Sequence, residues 1–110
     1  MPDRINITYP TAMVLQALAA GHEHGFDVMD ATGLPSGTVY PILRRLDREG
    51  LARARWEAAS IAHREQRPQR RYYEITAAGE RLLSEAARRY RALADIAPKT
   101  GRLKPATSLA

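Results

Sequence analysis

Apolar residues recur along the chain at helical spacing in four blocks, and two short blocks between the third and fourth alternate instead. Over residues 10–20, Ala12, Leu15, Leu18 and Ala19 form a stripe that Met13 and Val14 widen, which predicts a first helix. Pro10 suits its first turn, where a missing N–H costs nothing, and Gly21 stops it. A second, shorter helix is predicted over 26–31, with Phe26, Val28 and Met29 as its buried residues. Gly33-Leu34-Pro35 breaks that helix. Ser36 then stands where an N-cap hydroxyl accepts a backbone N–H. The third helix is predicted over 37–49, with Val39, Ile42, Leu43 and Leu46 facing inward and Gly50 closing it.

Two strands are predicted next. Residues 51–56 put Leu51, Arg53 and Arg55 on one side. Residues 70–75 put Arg71, Tyr73 and Ile75 on one face and Arg70, Tyr72 and Glu74 on the other. The polar, basic connection over 57–69 is long for a hairpin loop, which marks it as functional or mobile. Thr76 is placed to cap a fourth helix over 77–97, whose seam is Leu82, Leu83, Ala86, Tyr90, Leu93 and Ala97, and Pro98 ends it. Residues 98–110 carry Lys99, Arg102 and Lys104 among Pro, Gly, Ser and Thr, and are expected to form a disordered basic tail.

Three helices, a two-stranded hairpin and a further helix make a mainly α fold with a small β part. The order is that of a winged helix-turn-helix over 1–76, followed by a C-terminal dimerisation helix over 77–97. That last helix exceeds the mean length of about 11–12 residues, so its seam is expected to pair with a symmetry mate. Such a homodimer would hold two reading helices about 34 Å apart, the spacing of a palindromic DNA site.

Composition narrows the picture. At 110 residues the chain suits one compact unit, and it has no cysteine. Disulfides, thiolate zinc sites and a cysteine nucleophile are therefore excluded. No apolar run nears the ~20 residues of a membrane span. Met1-Pro2-Asp3-Arg4 lacks the layout of a signal peptide, so a cytoplasmic protein with no membrane partner is expected. His22-Glu23-His24 fails the spacing that puts two imidazoles on one helix face, so no metal and no cofactor are expected. No motif sets a base beside Ser36, Ser60, Ser84 or Ser108, and no enzyme activity is expected.

Charge points elsewhere. Between Ser36 and Arg71 there are nine arginines against four carboxylates, while the remaining eight basic and eight acidic residues balance, so the net +5 lies in one contiguous third of the chain. A localised cationic surface is the footprint of a polyanion. The third helix turns Gly37, Tyr40, Pro41, Arg44 and Arg48 away from its apolar stripe, with Arg45 and Asp47 flanking, and Ser36, Gly37 and Thr38 sit at its N-terminus, where free N–H groups attract phosphate. A major groove about 12 Å wide admits such a helix. Arg64, Arg67, Arg70 and Arg71 cluster on the predicted wing, where they would follow the duplex backbone or enter the adjacent minor groove. The competing reading is a winged-helix interaction module whose basic face meets an acidic protein; salt dependence and sequence preference separate the two.

Several of these residues fall in a recognisable combination. His24-Gly25-Phe26, the run from Gly37 through Leu46, Glu49-Gly50-Leu51, Trp56-Glu57, the run from Arg67 through Thr76, and Gly79 together resemble the PadR family of bacterial transcriptional regulators, over about residues 11–93. The resemblance implies DNA contacts at Thr38, Tyr40, Pro41 and the arginines of the third helix. It also implies a homodimer that represses promoters and is released by a small, often aromatic, effector. A pocket for that effector is expected between the first and fourth helices, lined by Met13, Leu15, Tyr90 and Leu93, with Trp56 in a structural role. Two features depart from the family pattern: Phe26 stands where tyrosine is usual, and the loop over 58–63 is poor in glycine.

Overall fold

The computed structural model of the protein describes residues 7–99. Helix α1, Tyr9–Ala19, starts one residue before Pro10 because Thr8 caps it: the Thr8 hydroxyl oxygen accepts the Thr11 N–H at 3.3 Å. Helix α2 is Gly25–Thr32. It closes on Gly33, whose φ of 77° lets its N–H turn back to the Met29 carbonyl at 2.8 Å. The tight turn that follows leads into α3, Ser36–Arg48.

The cap of α3 differs from the expectation. Pro35, extended at ψ 162°, holds the N-cap position, and its carbonyl accepts the N–H groups of Thr38 and Val39 at 2.9 and 3.0 Å. Ser36 is therefore already inside the first turn, where its hydroxyl makes no capping bond. Phe26 is the second difference, being 67% exposed rather than buried. The inward positions of α2 are Gly25 and Val28, one turn apart, and Phe26 lies to the side of that line.

Strands β1, Ala52–Trp56, and β2, Arg71–Ile75, pair antiparallel, with Ala52 opposite Ile75, Ala54 opposite Tyr73 and Trp56 opposite Arg71. Ala52 and Tyr73 point into the core, and Arg53 and Arg55 point out. The connection between the strands contains a six-residue helix, α4, Ala59–Arg64, anchored by buried Ala62. A single short turn without a capping side chain leaves no periodic signal in the sequence, so this element is absent from the sequence reading.

Helix α5, Ala77–Arg89, begins as expected at Thr76, whose hydroxyl accepts the Gly79 N–H at 3.1 Å and donates to the Gly50 carbonyl at 2.7 Å. The continuous helix expected over 77–97 is not formed. Tyr90 leaves the helical region at φ −117°, ψ 88°, and a 3-10 turn, Arg91–Asp95, follows. The break lets the Tyr90 hydroxyl donate to the Ile7 carbonyl at 3.1 Å, sets its ring against Tyr9 with centroids 5.1 Å apart, and returns Leu93 to the core. Leu83, Ala86 and Leu93 of the expected dimer seam are thus buried within their own protomer; Leu82 and Tyr90 are half-buried and Ala97 is exposed.

The chain then folds back. The Ala97 backbone carbonyl lies 2.7 Å from His22 Nε2, placed to accept its N–H. The Lys99 N–H donates to the Ala20 carbonyl at 2.9 Å, and its ammonium meets the Asp27 carboxylate. Pro98 and Lys99 are therefore held by the fold, and the rest of the expected tail, residues 100–110, lies outside the described residues.

One core joins these pieces. Val14, Leu15 and Leu18 of α1 meet Val28, the α3 stripe of Val39, Leu43 and Leu46, Tyr73 of β2, and Leu83, Ala86 and Leu93. Gly79 passes so close to the preceding segment that a Cβ there would sit 2.2 Å from the Leu51 carbonyl oxygen, whereas a Cβ on Gly37 meets nothing within 4 Å. Gly79→Ala should accordingly destabilise the fold by about 1–3 kcal/mol, as overpacking does. Gly37→Ala should stabilise it by up to about 1 kcal/mol through helix propensity. Urea unfolding of the two variants beside the parent chain checks both signs.

Candidate nucleic-acid interface

The outward face of α3 presents Ser36, Gly37, Pro41, Arg44, Arg45 and Arg48, all exposed, with Thr38 and Tyr40 half-buried. Pro41 has no N–H to give, so the Gly37 carbonyl one turn earlier lacks its helical donor on that face. Tyr40 is fixed by its neighbour: a Cβ on Gly25 would come within 2.3 Å of the tyrosine ring and hydroxyl. Only glycine lets the ring lie flat on the start of α2. This is the physical content of the His24-Gly25-Phe26 piece, which sequence reasoning noticed without its reason.

The arginines divide into two groups. Arg45 leans back on α1 and along its own helix, donating to the Thr11 hydroxyl at 3.2 Å and lying 3.8 Å from Glu49. Arg55 meets Glu23 at 3.6 Å and covers the Tyr72 ring. Arg71 lies 3.7 Å from Asp47 and over the Trp56 and Tyr73 rings. Trp56 is itself 59% exposed, so it serves here as a platform for that guanidinium. Arg67 is the most deeply engaged. Its two terminal nitrogens donate to both oxygens of Glu57 at 2.8 Å, and Glu65 lies on its other side at 2.9 Å. Expected on the phosphate-facing set, Arg67 is committed within the wing. Arg44, Arg48, Arg53, Arg64 and Arg70 form no side-chain ion pair with a carboxylate among the described residues.

Sequence reasoning noticed Glu57 only as part of the Trp56-Glu57 piece, without a role. Its side chain is buried, and besides Arg67 it accepts the Arg70 N–H at 3.2 Å and faces the Tyr72 hydroxyl at 3.4 Å. The paired Arg67 fork, above all, and then the Arg70 N–H hold its carboxyl down to about 2, against an ordinary 4.5. The same pairing raises the Arg67 guanidinium above its ordinary value. An isolated acid inside a basic run was the available signal. Nearby, burial lowers the His24 imidazole below its ordinary value, and the positive charges of Arg70, Lys99 and Arg67 push the same way.

A groove of about 500 Å³ runs between the two prongs. Gly25, Phe26, Tyr40 and Arg44 form one wall, and residues 67–71 form the other. It brings Arg44 together with Arg70 and Arg71; Ser36, Gly37, Thr38, Pro41, Arg45, Arg48 and Arg64 lie outside its lining. The residues expected around an effector are mostly sealed: Leu15 and Leu93 are 0% and 2% exposed, while Met13 and Tyr90 are half-buried. The three residues weighed as metal ligands are otherwise occupied: His22 by the Ala97 carbonyl, Glu23 by Arg55, and His24 by Asp27 at 3.3 Å. No helix among the described residues is long and apolar enough to cross a membrane.

A helix-turn-helix with an exposed, arginine-bearing second helix and a basic hairpin beside it defines a winged helix-turn-helix protein. The chain belongs to the transcriptional regulator PadR-like family, whose sequence profile matches residues 14–85. It is accordingly a DNA-binding transcriptional regulator. Solved structures agree in fold. A PadR-like transcription factor from Bacteroides fragilis is 24% identical, with 76% of this chain and 82% of that one covered at a TM-score of 0.57. A PadR family transcriptional regulator from Eggerthella lenta is 25% identical, with 76% of each chain covered at 0.56. A transcriptional regulator from Clostridium thermocellum is 18% identical, with 80% of this chain and 85% of that one covered at 0.60. No curated protein matches the sequence.

The Glu57 pairing sets a pH dependence. A carboxyl whose folded value is depressed stabilises the fold above its unfolded value and loses that contribution as pH falls toward the folded one. Unfolding free energy should therefore drop between pH 4.5 and about 2. Glu57→Gln should be less stable at pH 7 and flatter across that window, as read by urea melts at stepped pH.

Proposed function

We propose that this regulator reads its operator with α3 in the major groove while the wing follows the adjoining backbone. The observation that carries the reading is the groove between the prongs, where Arg44 and Arg70 stand without carboxylate partners among the described residues. In this reading Arg44, Arg48 and the Tyr40 hydroxyl approach base edges and nearby phosphates, with Pro41 and the open Gly37 carbonyl beside them. The unengaged N–H groups of Ser36 and Gly37 receive a phosphate at the positive end of α3, next to Thr38. Arg45, braced against Thr11 of α1, adds its charge farther along the same helix, and Arg64, Arg70 and Arg71 neutralise phosphates along the wing.

The regulator acts as a homodimeric repressor in the cytoplasm, on a palindromic site. Its two-fold partner meets the apolar surface that α1 and α5 leave partly open at Tyr9, Leu82 and Tyr90. A small aromatic effector relieves repression from that same side, touching Met13 and Tyr90. Leu83 is buried in the protomer core, so a charge there would unfold the chain; Leu82→Glu is the variant that tests association. Light scattering should give a dimer for the parent chain and a monomer for Leu82→Glu; a monomeric parent at micromolar concentration overturns the dimer.

Two substitutions separate base reading from backbone grip. Arg44→Ala should weaken binding to the cognate site by about 1–3 kcal/mol and leave random duplex little changed. Arg70→Ala should weaken all duplexes alike and lower the slope of log affinity against log salt by about one. If the parent chain prefers no sequence, its basic face serves an acidic protein partner instead.

A further inference from the structure

Glu57 and Arg67 sit in the middle of the cationic stretch, yet they are bonded to each other, with Glu57 buried and Arg67 largely covered. The Glu57 carboxylate lies where the two wing strands part. It follows β1, and all its partners come from the chain entering β2: the Arg67 fork, the Arg70 N–H and the Tyr72 hydroxyl. The main chain repeats the tie, with the Glu57 N–H donating to the Arg70 carbonyl at 2.8 Å and the Glu57 carbonyl accepting from Gln69 Nε2 at 2.6 Å. Arg70 is thus held by its N–H and its carbonyl on one residue, while its side chain lines the groove.

We propose that Glu57 is a positioning residue for DNA binding: its carboxylate, clamped by Arg67, sets the backbone from which Arg70 and Arg71 project into the groove. The proposal rests on the wing's role in gripping a duplex. Its content is a sign opposite to that of simple charge. An acid beside a phosphate-binding surface repels the ligand, and removing it frees Arg67 as one more cation. Charge alone therefore makes Glu57→Gln bind tighter, with a steeper salt slope. Positioning makes it bind weaker, because the contacts of Arg70 and Arg71 lose their fixed geometry.

The experiment compares the full chain with Glu57→Gln and Arg67→Lys on cognate and random duplex across a salt series. Arg67→Lys keeps the charge and loses the two-pronged bond, so charge alone predicts no change. Both variants should bind at least about fivefold more weakly on both duplexes, with the salt slope shallower by one to two. Trp56 is the chain's single tryptophan and touches Arg71, so it reports on the wing without DNA. Its fluorescence anisotropy should fall in both variants while circular dichroism shows the helices intact. Equal or tighter binding, an unchanged salt slope, or unchanged anisotropy overturns the proposal. If Glu57→Gln does not fold, Arg67→Lys decides alone. A parent chain that binds no duplex defeats the wing's role in DNA binding, and the anisotropy then still tests the clamp.

Discussion

Helix α1 is the element against which most of the others pack. Val14, Leu15 and Ala17 are fully buried, and the helix packs on α2, α3, β2, α5 and the 3-10 turn. Both prongs of the interface are thereby referred to one axis. Side chains this deep lose both transfer energy and packing when shortened, about 2–5 kcal/mol for a leucine cut to alanine. The orientation of α3 and of its exposed arginine-bearing face is thus decided by apolar contacts on its far side.

On that frame the arginines acquire different duties although they look alike in the sequence. Among the arginines of this stretch, those with a carboxylate within reach stiffen the scaffold: Arg67 within the wing, Arg45 along α3, Arg55 against the α1–α2 turn and Arg71 against Asp47 of α3. Those without one keep their full charge toward solvent. The net charge of the stretch is the same in either arrangement. What differs is where the field emerges, and a fixed pair such as Glu57–Arg67 contributes rigidity and little field.

Most of the fold was legible because its signals are local. Periodic stripes marked α1 and α3, Gly33 and Gly50 marked helix ends, and Thr76 marked a cap. The misreadings have long-range causes. Phe26 looks like a core residue until packing turns Gly25 and Val28 inward and leaves it beside their line. The helix over 77–97 reads as continuous until Tyr90 finds the Ile7 carbonyl, 83 residues away in sequence. Arg67 looks like any wing arginine until Glu57, ten residues earlier, is seen to hold it. The α3 face was recognisable residue by residue. The division of the wing arginines was not, because partnership between charges depends on how the strands close.

Asp47 carries a consequence for recognition. One of its oxygens faces the Ala54 N–H of β1 at 3.4 Å, and the other faces Arg71 of β2 at 3.7 Å, while the residue itself belongs to α3. Helix and hairpin are therefore bridged by two long contacts of one side chain, which bias the opening between them without fixing it, like a calliper with a loose screw. Association then loses less internal freedom than it would without the bridge. In the reading proposed above, any mismatch between that opening and a duplex would fall partly on the DNA, and stiff and pliant base steps would then differ in the work needed to fit them.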